Sequence, residues 1–137
     1  MSIRKTLAIT TIVLFFTSIP TQASPMPTSA VLVKPITKSQ IIAHARQEVY
    51  KYGWNTKQHQ CLVVLWNRES GWNHKAENKS SGAYGIPQAL PASKMKSAGA
   101  DWKTNPITQI KWGLKYIKIR YQTPCGALSH SNKKGWY

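Results

Sequence analysis

Acidic side chains are scarce in this chain of 137 residues. Glu48, Glu69, Glu77 and Asp101 stand against nineteen Lys and Arg, for a formal charge of +15. Any chemistry that needs a carboxyl group must therefore draw on these four, and the charge asks for a polyanionic neighbour. Other absences narrow the class further. There is no glycine-rich phosphate loop ending in Lys and Ser or Thr, no HExxH and no CxxC, so the common nucleotide and metal motifs are missing. No repeat is visible. At 42% apolar the composition excludes a disordered tail, and the length allows one hydrophobic core but not two.

Long hydrophobic runs are also lacking, with one partial exception. Arg4 and Lys5 precede an uncharged apolar stretch from Thr6 to Ile19, and Thr21-Gln22-Ala23 ends in small residues suited to a signal peptidase. The stretch falls short of the roughly 20 residues that a spanning helix needs, so an uncleaved anchor is the weaker reading. Residues 1–23 are expected to be a removed signal, 24–35 a Pro-, Ser- and Thr-containing linker, and 36–137 the functional domain. Loss of Arg4 and Lys5 takes the charge from +15 to +13. The expected location is exported, either periplasmic or secreted to the cell wall, with no stable membrane anchor and a monomeric state.

Export changes the reading of the only two cysteines, Cys61 and Cys125. In an oxidising compartment they most simply pair, which would stabilise the fold by about 4 kcal/mol on a chain-entropy model. Zinc bound by both cysteines with His59 and His130 is the alternative, but neither half has tight ligand spacing. No metal and no cofactor is expected.

Helical signals dominate the rest. Thr37 and Gln40 form a capping-box pattern, with Ile36 placed to staple onto Ile41. Ile41, Ala45, Val49 and Tyr52 follow helical spacing up to Gly53. Glu48 lies within that helix, where a solvated position is expected. A second helix runs from Asn55 or Thr56 to about Ser70, with Gly71 as its stop and Cys61, Leu62, Leu65 and Trp66 as its apolar stripe. Residues 72–91 read as a loop with a small hairpin near Gly82–Gln88, followed by a short helix over 91–98. Asn105 caps a third long helix with Pro106 at its first position and Ile107, Ile110, Leu114, Ile117 and Tyr121 on one face. Pro124 and Cys125 break it. The expected fold class is mainly α, a single domain with a short loop or β-hairpin segment beside the second helix.

Glu69 stands out on chemical grounds. It falls four residues after Leu65 and seven after Leu62, on the buried-leaning side of a helix end, where desolvation raises a carboxyl pKa. Glycosidic cleavage needs such an acid, protonated near neutral pH. Taken alone, Arg68-Glu69-Ser70 fits a surface residue or ion pair better than a catalytic acid. Ser70 and Ser80 with His74 could suggest a serine hydrolase, yet no nucleophile elbow accompanies them.

The longer string supplies context. Arg68-Glu69-Ser70-Gly71-Trp72-Asn73, followed by Ser81-Gly82-Ala83-Tyr84-Gly85-Ile86-Pro87-Gln88-Ala89-Leu90-Pro91, resembles the catalytic core of lytic transglycosylases. These belong to the lysozyme-like superfamily that includes goose-type lysozymes. Small exported members are the most similar, sharing the helix from Asn105 to Leu114 and a terminal Gly135-Trp136-Tyr137. The likeness covers about Ile41 to Tyr137. It implies a lysozyme-like domain in which Glu69 is the single catalytic acid and base and Ser70 helps to orient the site. The second motif is Gly-Leu-Met-Gln in the soluble enzymes and Gly85-Ile86-Pro87-Gln88 here, so Gln88 is expected to hydrogen-bond substrate and Tyr84 to form a cleft wall. The family's Ala-Tyr-Asn motif has no counterpart; Ala127-Leu128-Ser129-His130 stands near its place. Tyr121, His130 and Tyr137 are the candidates to replace its tyrosine.

The count of acids then bears on mechanism. Glycosidases commonly use two carboxylates. Glu77 lies in a polar loop and Asp101 in a turn before a helix, which suits solvation and capping better. One acid favours an intramolecular reaction that yields a 1,6-anhydro sugar over hydrolysis by a muramidase. Phe15 and Phe16 leave with the signal, so all mature aromatics are Trp or Tyr, side chains with a flat face and a polar edge. Trp66 and Trp112 are expected in the core. Trp72, Tyr84, Trp102 and Trp136 are expected to face a sugar cleft, with Tyr137 beside them as a substrate contact. The expected partners are peptidoglycan glycan strands and anionic cell-envelope polymers rather than nucleic acid. A nucleic-acid-binding module and a non-catalytic cationic wall-binding or antimicrobial protein are the rivals from other classes.

Overall fold

The computed structural model describes residues 34–137. The signal reading of residues 1–23, and all but the end of the linker, lie outside the described residues. Four α-helices carry the domain: α1 (Lys38–Lys51), α2 (Thr56–Ser70), α3 (Pro106–Tyr121) and α4 (Pro124–Lys134). A 3-10 helix, Ala92–Ala98, lies between α2 and α3. The fold is therefore mainly α, as expected.

Each α-helix begins where its own sequence provides a cap. Thr37 Oγ1 accepts from Gln40 N at 3.3 Å, while Thr37 N donates to Gln40 Oε1 at 2.9 Å, completing the capping box. Asn55, Asn105 and Thr123 cap α2, α3 and α4 in the same way, through bonds to Gln58 N, Ile107 N and Gly126 N. Ile36 remains exposed, so the staple contributes little there. The short helix expected over 91–98 is the 3-10 helix Ala92–Ala98, with Pro91 at its cap position.

Helices α2 and α4 pack together, and α3 packs against α1, α4 and the 3-10 helix. The core lies between them. Val49, Leu62, Leu65, Trp66, Ile86, Ile110, Leu114 and Ile117 are fully buried, and each such side chain is worth about 1.5–3 kcal/mol of hydrophobic stabilisation. Gly113 of α3 leaves room for the Trp66 side chain: a Cβ there would stand 2.6 Å from the Trp66 ring and 3.1 Å from Pro87. Cys61 of α2 and Cys125 of α4 form a disulfide, which leaves no thiolate for the zinc alternative. Gln58 strengthens the same junction by accepting from Cys125 N at 2.9 Å.

Burial corrects two readings of the sequence. Glu48 is not solvated: it is only 6% exposed, and its Oε1 takes the Lys51 ammonium at 2.6 Å and lies 3.4 Å from His44 Nε2. One side of α1 is covered by α2 and α3, and Glu48 sits on the margin of that covered face beside Val49. Trp72 and Trp102 are also buried rather than open to a cleft. Trp72 packs edge-on against Trp66 at 5.2 Å and donates to Val63 O at 3.2 Å; Trp102 joins a second small core with Ala89 and Met95. A loop position in sequence does not keep so large an apolar surface in water when two helices leave a gap beside it.

Candidate active site

The end of α2 and the loop that follows it build a single cleft. Gly71, in the left-handed conformation, ends α2 directly after Ser70 and turns the chain into residues 72–91. That loop folds back as two antiparallel bridges, Glu77 with Tyr84 and Tyr84 with Ala89, which is the expected hairpin in its shortest form. Ser70 Oγ donates to Ile86 O at 2.9 Å, joining the helix end to the second motif.

Gln109 of α3 holds the loop from the other side. It is fully buried, and its Oε1 accepts from Ile86 N at 2.9 Å. Its Nε2 donates to His74 O at 2.9 Å and to Trp102 O at 2.8 Å. One amide thus ties together the turn after Glu69, the second motif and the turn before α3. A Cβ at Gly85 would stand 2.5 Å from Gln109 Oε1, and Gly85 has φ +77°, so glycine is required there on both counts. Sequence reasoning missed Gln109, since a glutamine inside a helix looks like a surface residue. Its place one residue before the buried Ile110 was the available signal.

A cavity of about 320 Å³ opens where these parts meet. Glu69, Asn78, Gln88, Leu90, Trp136 and Tyr137 are among its lining residues. Of the predicted site residues, the structure thus brings Glu69, Gln88, Trp136 and Tyr137 to one cavity. Ser70 lies behind it, holding the loop. Tyr84 does not line it: the Tyr84 ring packs edge-on against Trp102 at 5.8 Å and its hydroxyl donates to Lys103 O at 3.0 Å.

Glu69 is half-buried, and burial pushes its carboxyl pKa up from the ordinary value. Among the described residues no cation forms a salt bridge with it. Glu69 is also the only acid in the cavity lining. Glu77 is exposed and paired with Lys79 at 2.9 Å. Asp101 is exposed and accepts from Asn105 Nδ2 at 2.6 Å and Thr108 Oγ1 at 2.7 Å, bonds that lower its pKa and brace the turn before α3.

Gln88 has φ +50°, a left-handed position for a residue with a side chain. Its Nε2 donates to Gly85 O at 2.9 Å and Ala76 O at 3.3 Å, which holds the strained turn. Tyr137 closes the cleft from the chain's far end. Its hydroxyl accepts from Trp66 Nε1 at 2.7 Å and donates to Pro87 O at 3.1 Å, so it bridges α2 to the second motif. Burial, reinforced by the charge of Glu69, raises its pKa well above the ordinary phenol value. Tyr121 and His130 line neither this cavity nor the smaller one beside it; their rings lie 5.1 Å apart behind Tyr137 and Trp136. Trp112 packs against the second small core, as expected of a core residue, but stays partly exposed and lines a smaller cavity beside the cleft.

Residues 47–132, well over half of the chain, match the family model described as Transglycosylase SLT domain. Neither curated proteins nor solved structures give a match.

Proposed function

The chain belongs to the transglycosylase SLT domain family, whose members act on peptidoglycan as lytic transglycosylases, and from that premise we propose the reaction in detail. Glu69 acts first as acid and then as base on the β-1,4 bond between N-acetylmuramic acid and N-acetylglucosamine. The protonated carboxyl gives its proton to the linking oxygen, and the C1–O bond breaks toward an oxocarbenium-like centre, assisted by the muramic acetamido oxygen. The ionised Glu69 then takes the proton of the muramic C6 hydroxyl as that oxygen bonds to C1. The products are a free N-acetylglucosamine end and a 1,6-anhydro-muramic end, and no water is consumed.

One observation carries this reading: among the described residues the cleft holds a single carboxyl group, desolvated and without a salt-bridge partner. Desolvation raises the carboxyl pKa and so favours the protonated form that the first step needs. A second carboxylate to activate water is missing from the lining, which favours the internal hydroxyl as nucleophile. Tyr137 takes the place of the absent Ala-Tyr-Asn tyrosine, since it alone of the three candidates lines the cavity with Glu69. Gln88 offers its free amide oxygen to substrate, and Trp136, 54% exposed, offers a ring face to a sugar. In this reading residues 1–23 are a removed signal, 24–35 a linker, and the domain works on the cell wall outside the cytoplasm.

Digestion of purified peptidoglycan followed by mass spectrometry tests the proposal. Muramic ends lighter by one water than reducing ends are expected. Fully hydrated reducing ends would identify a lysozyme instead.

A further inference from the structure

Tryptophans near the cleft are held in two different ways. Trp66 and Trp72 are buried, and their indole N–H groups donate to the Tyr137 hydroxyl at 2.7 Å and to Val63 O at 3.2 Å. Trp136, which lines the cleft with Glu69, is 54% exposed. Gly135 ends α4 in the left-handed conformation, and the turn sets the Trp136 ring against His130 of that helix. Their ring centroids lie 4.6 Å apart with the planes at 69°. Such an edge-to-face pair attracts beyond the area that it buries. Among the described residues no other aromatic ring packs against Trp136. His130 is backed in turn by Tyr121 at the end of α3, with centroids 5.1 Å apart. The His130 Nε2 and the Tyr121 hydroxyl are both buried without a hydrogen-bond partner. An unpaired buried nitrogen costs free energy, so what the imidazole contributes here is its flat ring. His130 lines neither cavity, and it can reach a substrate only through Trp136.

Resting on the reading of Trp136 as a sugar contact, we infer that His130 is a positioning residue for it. The His130 ring holds the exposed indole in the orientation that receives a sugar face, and Tyr121 fixes the His130 ring from the far side. An exposed indole without backing samples several rotamers, and a ligand must then freeze it at a cost in affinity. The stack Tyr121–His130–Trp136 orders the indole before substrate arrives. In the proposed reaction Trp136 touches none of the reacting atoms, so its contact is the same in the bound state and the transition state. Loss of the backing therefore appears in KM and leaves kcat.

The test is steady-state kinetics of the full chain on soluble peptidoglycan strands. His130→Ala is expected to raise KM about three- to tenfold, the range for one aromatic pair, with kcat within about twofold of wild type. His130→Phe keeps a flat ring and should hold KM near the wild-type value. Trp136→Ala should raise KM at least as far as His130→Ala, and adding His130→Ala to it should change nothing more, since the positioned ring is already gone. His130→Leu, close in size but without a flat ring, should match His130→Ala, so the test stands even where the alanine variant fails to fold. An unchanged KM in the variants without a ring overturns the inference. So does a rise in KM that His130→Phe shares, or a double variant in which the two effects multiply. A protein that cleaves no peptidoglycan defeats the proposed reaction itself. In that case, calorimetric titration with the tetramer of N-acetylglucosamine decides the positioning separately: equal binding by wild type and His130→Leu, or binding by neither, rejects it.

Discussion

Two glutamates sit against the helical core, and their surroundings differ in one respect that matters. Glu48 on α1 is the more deeply buried, at 6% exposure, yet its carboxylate has the Lys51 ammonium at 2.6 Å and the His44 imidazole at 3.4 Å. Glu69 at the end of α2 keeps more contact with solvent, among the described residues no cation forms a salt bridge with it, and its pKa rises. The depth of burial therefore does not tell which acid is poised for chemistry. A buried charge with a partner is a structural ion pair, whereas desolvation of a half-buried acid facing an open cleft without one shifts it toward the protonated form. The rest of the site follows the same division: Gln109, Ser70 and Tyr137 spend their hydrogen bonds on holding the loop, and Glu69 is left uncommitted.

The contrast can be broken most sharply at Glu69 itself. Glu69→Gln should lower the rate of anhydro-product release by about 10²–10⁴-fold, the range for loss of a general acid and base, while the fold persists by circular dichroism. Retention of normal activity would remove the assignment. The same variant should melt at a higher temperature than wild type near neutral pH. With its folded pKa raised, Glu69 costs no stability below its unfolded value near 4.5, where both states hold the proton. As pH rises through the folded value, the native state must ionise a desolvated carboxyl and loses stability. Melting curves across pH should thus show the two proteins converging on the acid side, and divergence there would contradict the desolvation account.

Supplying the missing partner should make Glu69 resemble Glu48. Leu90 is 53% exposed on the rim of the same cavity, so Leu90→Lys adds an ammonium without disturbing the core. Because catalysis begins from the protonated acid, the alkaline limb of the pH–rate profile should move down by roughly one unit, with activity at pH 7 falling several-fold. An unmoved limb would mean that Glu69 does not set it. Removing the partnered acid should have the opposite pattern. Glu48→Gln should cost about 1 kcal/mol in denaturant unfolding, as a buried acceptor is exchanged for an amide, and leave the product profile as it was. Glu77→Gln, at an exposed pair with Lys79, should change stability by less than about 0.5 kcal/mol and activity not measurably.

Much of this was legible along the chain. Thr37, Asn55, Asn105 and Thr123 each cap the helix that follows, and three of these starts stand in the sequence as a cap residue before a periodic apolar run. Glu69 was placed on the inner side of α2 by its spacing from Leu62 and Leu65. Less legible was the environment of side chains whose partners lie far away in the chain. Glu48 read as a surface acid because nothing local shows that α2 and α3 cover its helix. Trp72 read as a cleft residue for the same reason: the gap beside Trp66 takes it in, whereas Trp112 packs against the second small core while staying partly exposed.

The sequence by itself determined three of the four α-helices, the family and the scarcity of acids that singles out Glu69. Caps, periodicity and composition act within a turn or two of helix, so they survive without knowledge of the fold. Only the tertiary structure decided which acid is partnered, which rings face the cleft and which tyrosine joins α2 to the second motif. Those outcomes depend on contacts between residues as distant as Trp66 and Tyr137, and on which competing surface buries first and best. Burial and pairing are properties of the packed whole, and no single segment carries them.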